Sequence, residues 1–199
     1  MLIQLLNRSE DLQRIAAAGY DITWNAGHIV IRDVPYVNAA KAVKYGKLVI
    51  PIAVQPDGTV TMPNHQAFFA GDPFDDTPCN EEGQPLKGMG NNPAVQTVAN
   101  GLQVGRNFSA KPPGGGYASV TDKVTTYVNL LGAAAFAIDP GAKAQHYRPL
   151  VDTDNETPFH YMDSASTRAQ IMAASQKLEG QVISIIGLGG SGSYVLDQV

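Results

Sequence analysis

A chain of 199 residues is long enough to bury a sizeable core, and its 44% apolar content is ordinary for a globular protein. A formal net charge of -4, with no basic run, gives neither nucleic acid nor anionic lipid an electrostatic reason to be the main partner. One cysteine excludes an intrachain disulfide framework, no apolar stretch approaches the roughly 18 residues of a membrane span, and Met1 to Leu6 is too short for a signal peptide, so a cytoplasmic protein is expected.

Ser9 is placed to cap a helix, with Glu10 and Asp11 in its first turn, an apolar rhythm at Leu12, Ile15 and Ala16, and Gly19 to end it. Residues 20–24 and 28–32 alternate apolar and polar side chains around Asn25-Ala26-Gly27 and predict a hairpin. His28, at a strand end beside a turn, reads as a surface residue. Proline removes a ladder donor, so Val34-Pro35-Tyr36-Val37 is expected to leave the sheet. Residues 38–45 are polar, and Lys41, Lys44 and Lys47 share what reads as an exposed face, suited to solubility or to docking an acidic partner. Residues 48–54 predict a strand despite Pro51, 55–58 a turn, and 59–62 the return strand.

After Pro63-Asn64-His65 and the pair Phe68-Phe69, residues 71–106 are rich in Gly, Pro, Asn and Asp and read as one long irregular loop. It holds the only thiol, Cys79. Asp75, Asp76, Glu81 and Glu82 lie close to it in sequence and would raise its pKa, so an incidental, partly buried thiol is the plainer reading. His65, Cys79, His146 and His160 lack the close spacing of zinc ligands, and no metal site is expected among them. Ser109 and Lys111 would act as hydroxyl nucleophile and base only with Lys111 desolvated. The prolines and glycines of 112–116 read instead as a rigid turn into a helix. Val120, Val124, Tyr127, Val128 and Leu131 share one face of that helix, Asp122 lies near its start, and Asp139-Pro140-Gly141 stops it. Tyr127 is expected in the core.

The order of helix, antiparallel strands, Pro-Asn-His, one-cysteine loop and helix resembles a ubiquitin-conjugating enzyme, and SVTDKVTTYVNLLGAAAFAIDP is similar in rhythm to that family's helix after the active site. The resemblance implies that Cys79 receives a carrier protein as a thioester and that Asn64 supports the oxyanion. Two departures bear on this: Asn64 follows Met62-Pro63 rather than His-Pro, and Cys79 lies farther along the chain than in the family pattern. Without the carry-over, the domain would bind a carrier and form no covalent bond.

Residues 143–156 read as a linker with a short strand, 157–161 as a turn, and 163–178 as a helix capped by Ser164 or Ser166. Residues 182–186 are a short β-branched run, followed by Gly187-Leu188-Gly189-Gly190-Ser191-Gly192-Ser193 and the start of another helix. Glycines let the backbone turn tightly and approach phosphates, while the free N–H groups of the following helix favour an anion. KLEGQVISIIGLGGSGSYVLDQV resembles the opening of the ThiF and ubiquitin-activating superfamily. That resemblance implies Gly187, Gly189, Gly190 and Gly192 as phosphate-loop positions, and Arg168 as an arginine that reaches ATP, often across a homodimer. It also implies ATP and Mg as requirements of the full-length protein and a ubiquitin-like carrier as partner. The chain is further similar, over most of its length, to an uncharacterised bacterial domain that precedes ThiF-type domains.

The expectation is therefore an α+β amino-terminal domain over 1–150, a linker and pre-strand helix over 151–180, and the first βα unit of a Rossmann-like ThiF domain over 181–199. The function expected is carrier transfer or recognition in an ATP-dependent adenylyltransferase that activates a ubiquitin-like protein, within a longer chain whose later residues complete the nucleotide site. The alternatives are a non-catalytic protein-binding module and the start of an NAD- or FAD-dependent oxidoreductase, since a GxGxxG pattern serves those cofactors too.

Overall fold

Ser9 separates two short helices. Its backbone is extended, and its hydroxyl accepts the Leu12 N–H at 3.4 Å, which starts α2 (Glu10–Ala17); α1 (Leu2–Arg8), which the sequence did not predict, precedes it. The computed structural model describes residues 2–55, 59–98 and 100–148, together with Gly189. Of the linker expected over 143–156 only residues 143–148 are described, and Gln145 there forms an antiparallel bridge with Tyr20; the 163–178 helix, Arg168, the 182–186 run, Gly187, Gly190 and Gly192 lie outside the described residues.

The hairpin of β1 (Ile22–Asn25) and β2 (His28–Val37) turns through Ala26 and Gly27, both at positive φ, the conformation whose twist matches that of the flanking strands. β2 does not end at Pro35. A bulge between Ile31 and Val34, with Asp33 at a φ of 54°, shifts the register, and Pro35 pairs with Tyr45 of β3 (Val43–Pro51). β1 stops opposite Ile31, so the missing proline donor costs no bond in that ladder. The same pairing starts β3 at Val43 rather than Leu48. The single strand expected over 48–54 is divided at Ile52: its first part belongs to β3, while β4 (Ala53–Val54) pairs with β5 (Val60–Thr61), which lies within the expected return strand, as a small separate hairpin.

The expected long loop is shorter than its composition suggests. β6 (Ala67–Ala70) is followed by irregular chain and then by a hairpin of β7 (Asn92–Val98) and β8 (Leu102–Phe108). β7 is an edge strand on which only Val98 is buried, so its sequence has no need of alternating apolar residues. The six main strands are antiparallel in the order β1-β2-β3-β6-β8-β7. The fold is α+β: α3 (Val120–Ile138) packs against this sheet, α2 packs on α3 and α1 on α2, and all three helices contribute to the same core.

Strand alternation divides the apolar residues between two faces. Ile29, Ile31, Leu48, Ile50, Phe69 and Phe108 join Leu12, Ile15, Val124, Tyr127 and Leu131 in the principal core. Val30, Val49, Ala70, Val98 and Val104 form a smaller cluster apart from it. α3 starts at a double cap: the Ser119 hydroxyl accepts the Asp122 N–H at 3.0 Å, and the Asp11 carboxylate of α2 accepts the N–H groups of Val120 and Thr121. No described helix is long and apolar enough to cross a membrane.

Gly46 marks a close strand contact in this core. A Cβ there would overlap the Phe69 ring and stand 2.6 Å from the Ala70 carbonyl oxygen. Gly46→Ala is expected to destabilise the fold by about 1–3 kcal/mol, because a backbone oxygen cannot swing away as a side chain can. Urea unfolding that returns the wild-type midpoint would contradict this packing.

Candidate functional site

A chain of aromatic contacts crosses the core from β2 to α3. Tyr36 meets Phe69 edge-on at 5.2 Å, Phe69 meets Phe108 at 5.7 Å, and Phe108 stacks with Tyr127 at 6.1 Å. Its two ends are phenols, and each phenol holds a loop. The Tyr36 hydroxyl donates to Asp76 at 2.9 Å and accepts the Asp72 N–H at 2.8 Å. The Tyr127 hydroxyl donates to the His65 carbonyl at 2.7 Å and accepts the Ala110 N–H at 2.9 Å. Burial pushes both phenols well above their usual pKa.

Tyr127 thus joins two segments far apart in sequence. Lys123, one turn earlier on the same helix, donates to the Asn64 carbonyl at 3.0 Å, and the Tyr117 hydroxyl donates to the Ala110 carbonyl at 2.7 Å. β6 and β8 pair next to these points, with Ala67 opposite Phe108. Held in this way, His65 Nε2 lies 2.8 Å from Ser109 Oγ. With Nε2 unprotonated, the serine hydroxyl donates to it. Both residues are half-buried and keep a solvent-facing part. The sequence considered Ser109 with Lys111; Lys111 is exposed, and the structure joins Ser109 to His65 instead. Forty-four positions separate the pair, so no local motif announces it.

Lys123 has no exposed surface, and no carboxylate is paired with it among the described residues. Burial pulls its pKa down to about 8.

The two residues implied by the ubiquitin-conjugating resemblance lie in separate places. Cys79 pairs with Val37 at the end of β2 and with Pro85; its N–H donates to the Val37 carbonyl at 2.7 Å and its thiol to the Thr77 carbonyl at 3.2 Å. The residue has no exposed surface. Burial first, and then the charge of Asp76, raise the thiol pKa, while Arg106 partly opposes them. In this conformation Cys79 presents a buried thiol rather than an accessible thiolate. Asn64 is exposed in the loop entering β6, where its side-chain oxygen accepts the Gln66 N–H at 2.9 Å. No hydrogen bond joins Asn64 to Cys79 among the described residues.

Of the expected phosphate-loop glycines only Gly189 is described, in an exposed bend. Among the described residues no group of three or more His, Cys, Asp or Glu is placed to hold a metal ion.

A protein-family model described as Domain of unknown function (DUF6791) matches residues 10–164. No match was found among curated proteins or among solved structures.

Tyr127→Phe removes the bridging hydroxyl and leaves the buried Ala110 N–H without its partner. The expected cost is about 1–3 kcal/mol, with faster hydrogen exchange at Ala110. Lys123 gives a second expectation, of known sign. Its folded pKa lies below its unfolded value of 10.5, so between about pH 8 and 10.5 the unfolded state binds more protons. This one group should therefore make the fold more stable as pH rises through that window, by up to roughly 3 kcal/mol. Denaturant melts of wild type and Lys123→Met across the window isolate the effect, since other titrating groups are common to both; parallel pH dependences would refute it.

Proposed function

The chain belongs to that family, whose description assigns no activity, and from the chain's own residues we propose that it is the amino-terminal recognition domain of an ATP-dependent adenylyltransferase acting on a ubiquitin-like carrier protein. The adenylating part is supported by the sequence order of apolar run, Gly187-Leu188-Gly189-Gly190-Ser191-Gly192-Ser193 and helix start. Backbone N–H groups in such a loop suit the phosphates of ATP. In this reading Gly187, Gly189, Gly190 and Gly192 hold those phosphates, and Arg168 reaches the nucleotide from the partner subunit of a homodimer. Magnesium would neutralise phosphate charge there, with its ligands supplied by residues beyond those described.

The burial of Cys79 is the observation that carries recognition over thioester transfer. A sulfur without exposed surface, with its thiol form favoured, offers a carrier no nucleophile at this position. The likeness to a ubiquitin-conjugating enzyme is supported by the order α2, antiparallel β2, β3 and β6, Cys79 and α3. The β7–β8 hairpin standing between Cys79 and α3 is where the chain departs from the simple order read in the sequence.

ATP–pyrophosphate exchange by the full-length protein, with ubiquitin-like carriers encoded in the same genomic neighbourhood, tests this reading. Carrier-dependent exchange is expected, reduced on the order of tenfold or more in Gly189→Asp. Exchange and conjugation are both expected to survive Cys79→Ala. A protein that shows no exchange with any carrier and binds NAD or FAD tightly would belong to the oxidoreductase class instead.

A further inference from the structure

We propose that Ser109 is a nucleophile toward activated acyl groups, with His65 as its general base. The separation of 2.8 Å between Ser109 Oγ and His65 Nε2 lies within the range that proton transfer from a serine requires. Neither side chain belongs to the apolar core, yet both are fixed from beneath it. The backbone of His65 is tied to the Tyr127 hydroxyl, and the residue after Ser109 is tied to that same hydroxyl. One buried atom thus sets the spacing between base and nucleophile, a degree of preorganisation that an incidental surface contact does not need.

The glycine-rich chain that follows the serine is open and exposed. Pro112-Pro113-Gly114-Gly115-Gly116 follows the serine closely, and nothing lies within 4 Å of where the Cβ atoms of Gly114 and Gly116 would stand. Beside the serine, its N–H donates to the carbonyl of the buried Met89 at 2.6 Å, and a Cβ on the exposed Gly90 (φ 60°) would come within 3.1 Å of the Ser109 Cβ. The serine backbone is therefore anchored to the buried Met89, and an open glycine stretch follows a few residues on in the chain.

The step balances without a cofactor. Ser109 Oγ attacks the carbonyl carbon, the Oγ–C bond forms, and the bond from that carbon to its leaving group breaks. The hydroxyl proton passes to His65 Nε2 and from there to the leaving group. Water or an acceptor amine then takes the acyl group by the same route. A carrier acyl-adenylate is one substrate of this class; that extension alone rests on the proposed function, and its product would be an oxyester on Ser109.

The test uses the full-length protein and a fluorophosphonate probe, which forms an Oγ–P bond as fluoride leaves and the proton passes to His65. Peptide mapping of the labelled wild type is expected to place the adduct on Ser109. Ser109→Ala should abolish it while thermal unfolding stays near that of the wild type. His65→Gln, which can keep a hydrogen bond but takes no proton, should slow labelling on the order of 100-fold. A folded wild type with no adduct on Ser109 overturns the proposal whatever the variants do, and so does a labelling rate unchanged in His65→Gln. Labelling of Ser109 in a protein without ATP–pyrophosphate exchange would uphold this site and remove the adenylation reading.

Discussion

The burial of α3 against the sheet is the constraint on which the rest of the molecule depends, and the Tyr127 hydroxyl is where that burial becomes specific. Apolar residues on α3 would drive the helix onto almost any apolar face, since the hydrophobic effect has no direction. A phenol that must find partners once buried does have direction. It requires the His65 carbonyl on one side and the Ala110 N–H on the other, and so fixes where the loops flanking β6 and β8 can lie. Lys123 adds a second such requirement at the Asn64 carbonyl.

The amino-terminal helices are bound into the same arrangement by charge. Asp11 caps α3 across more than a hundred residues of sequence, and the Thr121 hydroxyl returns a hydrogen bond to the Asp11 carbonyl at 2.9 Å. A carboxylate at a helix start satisfies free N–H groups and meets the positive end of the helix dipole. Near the opposite end of the described chain, Arg148 bonds to Asp33 at the β2 bulge and lies 3.6 Å from the buried Asp21, which also pairs with Arg32 at 2.7 Å. Asp33 holds its positive φ where this ion cluster forms.

The two nucleophile-bearing residues that the sequence picked out have opposite environments. Cys79, the more reactive type, is tucked against β2 where burial and Asp76 keep its proton on. Ser109, the weaker type, keeps a solvent-facing part and a histidine within hydrogen-bond reach. Chemical potential at a site follows from what surrounds the atom rather than from the residue name.

Much of the fold was legible in the sequence. Ser9, the Asn25-Ala26-Gly27 hairpin, the β4–β5 hairpin and the buried face of α3 were all readable, because caps, turns and periodicity act over a few residues. The β7–β8 hairpin was missed although Asn100 and Gly101, both at positive φ, carried a signal for it; the polar edge strand beside them hid the alternation. Pro35 was misjudged because its tolerance depends on where the neighbouring strand stops. By itself, then, the sequence determined the α+β character, the local caps and turns, and the glycine-rich motif near its end. Only the tertiary structure decided that Cys79 is enclosed, that Lys123 is buried, and that His65 meets Ser109. Burial, desolvation and contacts between distant residues arise from strand order and helix docking, which no short stretch of chain encodes.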